Sequence, residues 1–311
     1  MLVIYLFLFL MISIWSFSFI IVDILVEFTP SLSIALYRFI IASIAYLLID
    51  LYIRLKNKKP NNKNDNIDLK RPFSKRDWIY LFIASLSGVS LFFFIQYSSI
   101  TLLGPSIPAL FVCLLAPVLI SILALIFFKE KLSKIKITGL IIATIGGFLL
   151  VTGGDIATLT PISPNFLGYI LALLTPVLWA IYSTISKKLV KISSTNQVNK
   201  YICYLGTIEL LILVLINNGL NSFIQNLLNP ILFLSSIYLG IGCYVIGYYI
   251  WQYSQNKLKS AKVASFLYIQ PFLTLLFSML FRRKDVVVIW NILGGIIVFI
   301  AILLINYERM R

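Results

Sequence analysis

The sequence contains no histidine and few charged residues. Only 12% of its 311 residues are Asp, Glu, Lys or Arg, whereas 60% are hydrophobic. Soluble domains are about a quarter charged. Histidine is the commonest general base and metal ligand, so its absence removes the usual basis for acid–base or metal catalysis. A soluble fold could not bury so much apolar surface, and we therefore expect lipid to surround most of the chain.

Cysteines are also scarce, and nucleotide-binding motifs are missing. Cys113, Cys203 and Cys243 each lie within an apolar run, without the spacing of a metal site or a disulfide framework. They are interpreted as packing residues. The chain has no phosphate-binding loop of the Walker type, which argues against transport driven directly by ATP. We expect no cofactor and no metal, and assign no catalytic residue.

The hydrophobic residues form ten long runs, each close to the roughly 20 residues that a helix needs to cross a bilayer. The first run has no basic leader and no small-residue cleavage site, so it is predicted to be a transmembrane helix and not a signal peptide. The predicted segments are approximately 3–26, 31–53, 78–99, 105–128, 134–152, 165–186, 198–217, 231–253, 261–281 and 287–307.

The basic residues are concentrated in the connectors on one side of this arrangement. That side holds 22 Lys and Arg residues, nine of them in loop 54–77, whereas the other side holds three, at 282–284. The positive-inside rule then places both termini in the cytoplasm. The net charge of +15 is therefore attributed to membrane connectors, and no nucleic acid is expected as a partner. Loop 54–77 is interpreted as a solvated connector, the alternative being weak attraction to anionic lipid.

An internal repeat relates the third to fifth segments to the eighth to tenth. The motif Gln96-Tyr97-Ser98 returns as Gln252-Tyr253-Ser254, and an internal proline follows each, at Pro117 and Pro271. Five segments is an odd number, so the second half must enter the membrane from the opposite side. The sequence thus predicts an all-α membrane protein with ten transmembrane helices in two inverted five-helix repeats, a design common in secondary transporters. The repeats are assigned to 1–152 and 165–311, joined by the loop 153–164.

Taken in order, these motifs resemble the EamA-type family of the drug/metabolite transporter superfamily. The similarity covers nearly the whole chain, with one departure: Lys284 stands where Glu130 stands in the first half. The matching stretches are Trp15-Ser16-Phe17-Ser18-Phe19, Tyr37-Arg38-Phe39, Ala116-Pro117-Val118, Phe128-Lys129-Glu130-Lys131-Leu132, 139–147, Leu178-Trp179-Ala180-Ile181-Tyr182 and Gln270-Pro271-Phe272.

The resemblance implies a location in the plasma membrane and the export or exchange of small metabolites such as amino acids. It also implies a central cavity lined by helices from both halves, with the fifth and tenth helices more peripheral.

Arg38 is the most informative single residue. It lies eight residues after Pro30, about 12 Å into its helix at 1.5 Å per residue. A charge near that depth costs about 2.5–3.5 kcal/mol, so we expect it to face the bundle interior. It could anchor an anionic group of the substrate, or it could be an internal partner of a carboxylate or of helix carbonyls.

Glu209 lies in the seventh segment, the counterpart of the segment that carries Arg38. We hypothesise that it pairs with Arg38 across the pseudo-twofold axis or that it titrates during transport. A polar packing contact between helices is the remaining alternative.

Aromatic and amide side chains near the segment centres complete the candidate site. Aromatic walls suit an amphipathic or cationic solute, although most aromatics in such a chain face lipid. Prolines inside helices free carbonyls and are candidate hinges, or else static kinks. The substrate-cavity candidates are Trp15, Arg38, Gln96, Trp179, Tyr182, Glu209, Tyr248, Trp251 and Gln270, and the hinge candidates are Pro117, Pro176 and Pro271.

The sequence therefore predicts a secondary transporter that moves a small metabolite, an amino acid or a related amphipathic solute, by alternating access. Its partners would be a small-molecule substrate, the lipid bilayer and, where transport is coupled, a proton. The alternatives are a membrane-embedded enzyme acting on lipid, which usually needs histidine or clustered carboxylates, and a membrane scaffold that does not transport.

Overall fold

The computed structural model describes residues 2–57, 72–130, 133–152, 166–282 and 289–306. Within these ranges every regular element is a helix. The predicted connector 153–164, most of loop 54–77 and Lys284 lie outside the described residues. The long helices are α1 (Leu2–Leu25), α2 (Ser31–Asn57), α3 (Lys75–Leu103), α4 (Ser106–Phe128), α5 (Lys134–Thr152), α6 (Phe166–Leu189), α7 (Thr195–Ile216), α8 (Pro230–Lys257), α9 (Ser260–Leu280) and α10 (Ile289–Asn306).

Eight helices in the described ranges, α1–α4 and α6–α9, are long and apolar enough to cross a membrane. This confirms the prediction of an all-helical, multi-pass membrane protein. α5 and α10 lie at the positions predicted for the fifth and tenth segments. A short helix, Leu220–Gln225, follows α7.

Local sequence signals set several helix ends. Ser74 accepts from the backbone N–H of Asp77, whose carboxylate accepts from the Ser74 backbone, so α3 begins three residues before its predicted start. This reciprocal capping box satisfies two backbone donors that would otherwise be unpaired. Gly104 ends α3 at a φ of 76°, a conformation that glycine adopts without steric strain.

Helices α3 and α8 each contain a π-helical stretch, Leu86–Ser90 and Tyr238–Ile246. Such stretches disturb the regular backbone ladder and often occur at functional sites. Each ends six residues before the Gln-Tyr-Ser motif that the two helices share. Helix α9 also departs from α geometry, with a 3₁₀ stretch at Ser265–Ile269.

Packing divides the helices into a central bundle and a side pair. One continuous apolar core joins α1–α4 with α6–α9. A second, smaller cluster joins α5 and α10 to α4 and α9. Gly139 and Gly146 of α5 face Ile305 and Ile297 of α10 at distances that leave no room for a side chain. These glycines therefore allow close contact between α5 and α10.

Candidate substrate cavity

A cavity lies between α1, α2, α3, α4, α6, α8 and α9, near the middle of the central bundle. The cavity volume that is open to the centre of a water molecule is about 40 Å³. One water needs at least about 10–15 Å³ of such space, so the cavity as it stands has room for about three waters. Its lining residues are Trp15, Ser18, Phe19, Arg38, Phe92, Phe93, Gln96, Val112, Trp179, Cys243, Tyr248, Leu267 and Gln270.

Six of the nine predicted cavity residues line this space, with Arg38 as its charged group. The Arg38 side chain is 2% exposed, its Nη1 donates to the Tyr97 hydroxyl at 2.5 Å, and its Cζ lies 4.1 Å from the centre of the Phe93 ring. Its Nε is buried with no partner. Among the described residues, no carboxylate pairs with Arg38. The guanidinium is held in place without a counter-charge from the residues that the structure describes.

Several further polar groups at the cavity are not engaged by the protein. The Gln96 and Gln270 side chains line the cavity, and neither amide hydrogen-bonds to another residue that the structure describes. The indole N–H of Trp179 is buried without a partner. The Gln96 and Gln270 amides offer a solute both donors and acceptors, beside the guanidinium of Arg38.

Aromatic rings form the remaining wall. The Trp15 ring packs edge-on against Trp179 at 5.3 Å and against Tyr248 at 5.8 Å. Phe92 packs against Trp179 at 5.3 Å. Such ring clusters provide large apolar surface with fixed geometry. The wall suits an apolar side group of a solute.

Two predicted cavity residues, Tyr182 and Trp251, form a second layer behind this wall. Their rings lie 5.0 and 5.4 Å from Trp179. Tyr182 accepts from Gln252 at 2.8 Å, and the Trp251 indole donates to Ser183 at 3.2 Å. They support the cavity and do not line it.

Glu209 lies outside the cavity, at the interface between α7 and α3. Ser85 Oγ lies 2.5 Å from Oε1 and Ser90 Oγ lies 2.6 Å from Oε2. The predicted pairing of Glu209 with Arg38 is therefore absent from the described structure, because each side chain has a different set of partners. The sequence did not reveal these two serines, although both flank the π-helical stretch of α3.

The helix irregularities lie mostly away from the predicted hinge prolines. Pro117 and Pro176 are buried inside continuous α-helices. Pro271 stands at the start of an α-helical segment that follows the 3₁₀ stretch of α9. The two π-helical stretches contain no proline, so prolines in the sequence could not indicate where they lie.

Both π-helical stretches supply carbonyls to aromatic side chains of the cavity wall. Tyr248 donates its hydroxyl hydrogen to the Gly88 carbonyl at 2.8 Å, and Trp15 donates its indole hydrogen to the Cys243 carbonyl at 2.9 Å. Close backbone approach accompanies this: a Cβ on Gly240 would lie 2.5 Å from the Arg38 carbonyl oxygen. The π-helical stretches thus position Trp15, Tyr248 and the backbone of Arg38.

A buried ion pair closes the bundle at one end, where α4 and α6 finish and α9 begins. Lys187 pairs with Glu130 and also donates to the Ser260 hydroxyl at 2.7 Å. The second carboxylate oxygen of Glu130 accepts from the Ser260 backbone N–H at 2.9 Å, which suits a negative charge at a helix N-terminus. At the same end, Asp50 of α2 pairs with Lys200 of α7 at 2.7 Å.

Comparison with known proteins decides the family. The sequence model of the EamA-like transporter family matches residues 2–152 and 166–307. The chain belongs to the EamA-like transporter family. This confirms the resemblance on which the sequence interpretation rests.

Relatives of this EamA-like transporter carry the same general description. An uncharacterized transporter of Archaeoglobus fulgidus is 25% identical over 298 residues, covering 95% of this chain and 94% of the relative. The uncharacterized transporter YyaM of Bacillus subtilis is 25% identical over 279 residues, covering 89% and 84%. A further one, of Clostridium kluyveri, is 27% identical over 242 residues, covering 78% and 76%.

A solved crystal structure superimposes with a TM-score of 0.68 at 17% identity, over 97% of this chain and 96% of that one. At this identity the likeness shows the fold alone. With the eight apolar helices, the family places this chain among multi-pass membrane transporters.

Proposed function

We propose that this EamA-like transporter moves a small solute that carries a carboxylate and an apolar side group, an amino acid or a related metabolite, by alternating access. The observation that carries the proposal is the buried guanidinium of Arg38, which lines the cavity with no carboxylate partner among the described residues. The export direction and the plasma-membrane location rest on the resemblance to the family.

The energetics of Arg38 support an anionic group on the solute. A lone buried charge is costly unless it is paired. The Tyr97 hydroxyl and the Phe93 ring offset part of that cost, but neither supplies a negative charge. A carboxylate on the solute would supply it, and Arg binds carboxylates through two parallel hydrogen bonds.

The rest of the lining supports an apolar side group. Trp15, Trp179 and Phe92 provide aromatic surface beside the polar groups of Gln96 and Gln270. Solute sites in proteins typically combine a mostly apolar lining with a few placed polar groups. A bare inorganic anion would use only the Arg38 end of this cavity.

The cavity must widen before such a solute can enter, because it now has room for only about three waters. We propose that α5 and α10 also cross the membrane, which gives ten passes in two inverted halves, 1–152 and 165–311. Rocking of the halves would open the cavity to each side in turn.

The end of the bundle that carries the two ion pairs is proposed to be the cytoplasmic end, with both chain termini on that side. The surplus of basic connectors supports this orientation. Lys187 follows Trp179 by eight residues, about 12 Å along α6, and the layer of Tyr182 and Trp251 fills the space between. The conformation is therefore closed towards the cytoplasm.

Solute counterflow in proteoliposomes tests the proposal. Vesicles containing the purified transporter are loaded with unlabelled L-phenylalanine, L-leucine or phenylpyruvate, and entry of the labelled compound is followed. We expect transient accumulation for at least one compound, and none in protein-free vesicles. Absence of exchange for the whole panel, with a lipid product formed instead, would support an enzyme.

A further inference from the structure

We propose that Glu209 is a proton-binding site whose protonation is coupled to movement of the cavity wall. This inference rests on the proposed function and names the ion that drives it. Ser85 and Ser90 contact the carboxyl group of Glu209, and the number of hydrogens that these contacts require indicates its protonation state.

The hydrogen count at Ser85 favours a protonated Glu209. Ser85 Oγ lies 2.8 Å from the Phe82 carbonyl oxygen and 2.5 Å from Glu209 Oε1. A serine hydroxyl has one hydrogen, a carbonyl oxygen can only accept, and an ionised carboxylate can only accept. With Glu209 ionised, one of these two contacts would join two oxygens without a hydrogen between them.

A proton on Glu209 resolves this shortage. Glu209 Oε1–H then donates to Ser85 Oγ, and Ser85 donates its own hydrogen to the Phe82 carbonyl. Ser90 donates to the other carboxyl oxygen. Every contact in this chain of oxygens then contains one hydrogen.

The surroundings of Glu209 also disfavour a negative charge. Its side chain is 9% exposed and lies seven residues inside the C-terminal end of α7, flanked by the lipid-facing residues Ile208 and Ile212. An ionised carboxyl group in an apolar membrane interior is costly without a cation.

No charged side chain of the neighbouring helices α2, α3 and α8 contacts Glu209 in the part of the chain that the structure describes. The described charged groups of those helices lie elsewhere: Arg38 contacts Tyr97, Asp50 pairs with Lys200, Lys75 is exposed at the start of α3, Arg76 contacts Tyr80, Asp77 caps α3, and Lys257 lies over the Tyr253 ring. The other titratable side chains described on these helices are tyrosines and Cys243, which are uncharged at neutral pH by their ordinary pKa values.

The position of the two serines connects this proton to the cavity. Ser85 precedes the π-helical stretch of α3 and Ser90 ends it, so the Glu209 carboxyl group joins the two ends of the stretch. Within the stretch, the Gly88 carbonyl accepts from Tyr248 of the cavity wall. Beyond it on α3, Phe92, Phe93 and Gln96 line the cavity.

Loss of the proton would leave the single Ser85 hydrogen to serve either the Phe82 carbonyl or the carboxylate, so one of the two contacts before the π-helical stretch would be lost. A π-helical turn that returns to α geometry shifts the register of the residues around it. The cavity residues of α3 and the bond from Tyr248 would then move together. The proton enters Glu209 from water on one side and leaves to water on the other, in step with the solute.

Infrared spectroscopy tests protonation directly, without knowledge of the solute. The purified transporter in lipid is titrated from acid to alkaline pH, and the carbonyl stretch of protonated carboxyl groups is recorded in wild type and in Glu209→Gln. We expect a band in the wild type that disappears as pH rises and is missing from the variant. Identical spectra for the two proteins would overturn the proposal.

Transport tests the coupling. Wild type is expected to accumulate labelled L-phenylalanine when a pH gradient is imposed on proteoliposomes, and Glu209→Gln to lose that accumulation while still exchanging L-phenylalanine across the membrane. Glu209→Asp, which restores an ionisable carboxyl group, should recover part of it. Glu27→Gln, a matched change at an exposed carboxylate between α1 and α2, should behave as wild type.

Retention of pH-driven accumulation by Glu209→Gln would overturn the coupling. If the whole solute panel fails to exchange in wild type, the proposed function fails, and the infrared result alone then decides whether Glu209 binds a proton.

Discussion

Trp15 of α1 donates its indole hydrogen to the backbone carbonyl of Cys243 in the π-helical stretch of α8, at 2.9 Å. This bond joins a residue of the first half to one of the second, at the wall of the cavity. The π-helical stretch of α8 is therefore part of the site, because its backbone binds a side chain of the cavity wall.

Replacing Trp15 with Phe tests this bond. The change keeps most of the aromatic bulk but removes the donor of a buried hydrogen bond, which typically contributes about 0.5–1.5 kcal/mol. We expect a lower Tm in detergent and slower L-phenylalanine counterflow. Trp78→Phe, at an exposed ring, is the matched control, and equal effects of the two changes would contradict the assigned role.

The π-helical stretch of α8 contains two glycines that predict opposite results. A Cβ on Gly240 would lie 2.5 Å from the Arg38 carbonyl oxygen, a rigid neighbour, whereas the nearest atom to a Cβ on Gly242 is 3.8 Å away. Gly240→Ala should therefore displace α2 at Arg38, with a destabilisation of about 1–3 kcal/mol and loss of counterflow. Gly242→Ala should be tolerated.

Thermal unfolding and counterflow of the two alanine variants, measured side by side, check this prediction. Equal tolerance of Gly240→Ala and Gly242→Ala would show that the close contact between α2 and α8 is not required.

The ion pair between Lys187 and Glu130 predicts a barrier at one end of the bundle. Lys187→Met leaves the Glu130 carboxylate without its cation, and removal of one partner of a buried pair costs about 3–5 kcal/mol. Because the Lys187 and Glu130 side chains are 6% and 17% exposed, we expect an effect near the lower limit. The end of the bundle that is proposed to be cytoplasmic should then open more readily.

Labelling of Cys243 with a membrane-impermeant maleimide measures that opening, because this thiol lines the cavity. In inside-out vesicles the rate should increase for Lys187→Met and stay unchanged for Lys188→Met, whose lysine is exposed. An unchanged rate of Cys243 labelling in both variants would show that the ion pair between Lys187 and Glu130 is not a barrier.

Much of the helical architecture could be predicted from the sequence, because hydrophobic length and capping are local properties. The Ser74–Asp77 capping box even explains why α3 begins before its apolar run. The burial of Arg38 was also predictable, since the membrane penalises a lipid-facing charge.

Other features depend on contacts between distant segments and could not be predicted in the same way. One hypothesis from the sequence pairs Glu209 with Arg38 of the counterpart helix, but the structure places Glu209 against Ser85 and Ser90 of α3. Serines are common in membrane helices, so nothing local distinguished these two. The π-helical stretches likewise follow from packing against α1, α2 and α6, and their only trace in the sequence is closely packed glycines such as Gly88 and Gly240.

The cavity chemistry predicts a preference for solutes with a carboxylate. L-phenylalanine and phenylpyruvate should compete for counterflow, whereas L-phenylalaninamide, which has the same ring but no carboxylate, should not, because Arg38 would then remain unpaired. Competition by the amide equal to that by the acid would contradict an anchoring role for Arg38.

The anchoring of a solute carboxylate by Arg38 is tested most directly by L-phenylalanine counterflow of Arg38→Gln. This variant is compared with Arg38→Lys and with Arg76→Gln, a change at an exposed arginine. We expect Arg38→Gln to lose exchange of L-phenylalanine. Arg38→Lys should keep a reduced rate and should discriminate less strongly against L-phenylalaninamide, and Arg76→Gln should match wild type. Exchange by Arg38→Gln at the wild-type rate, with the same preference for carboxylates, would contradict it.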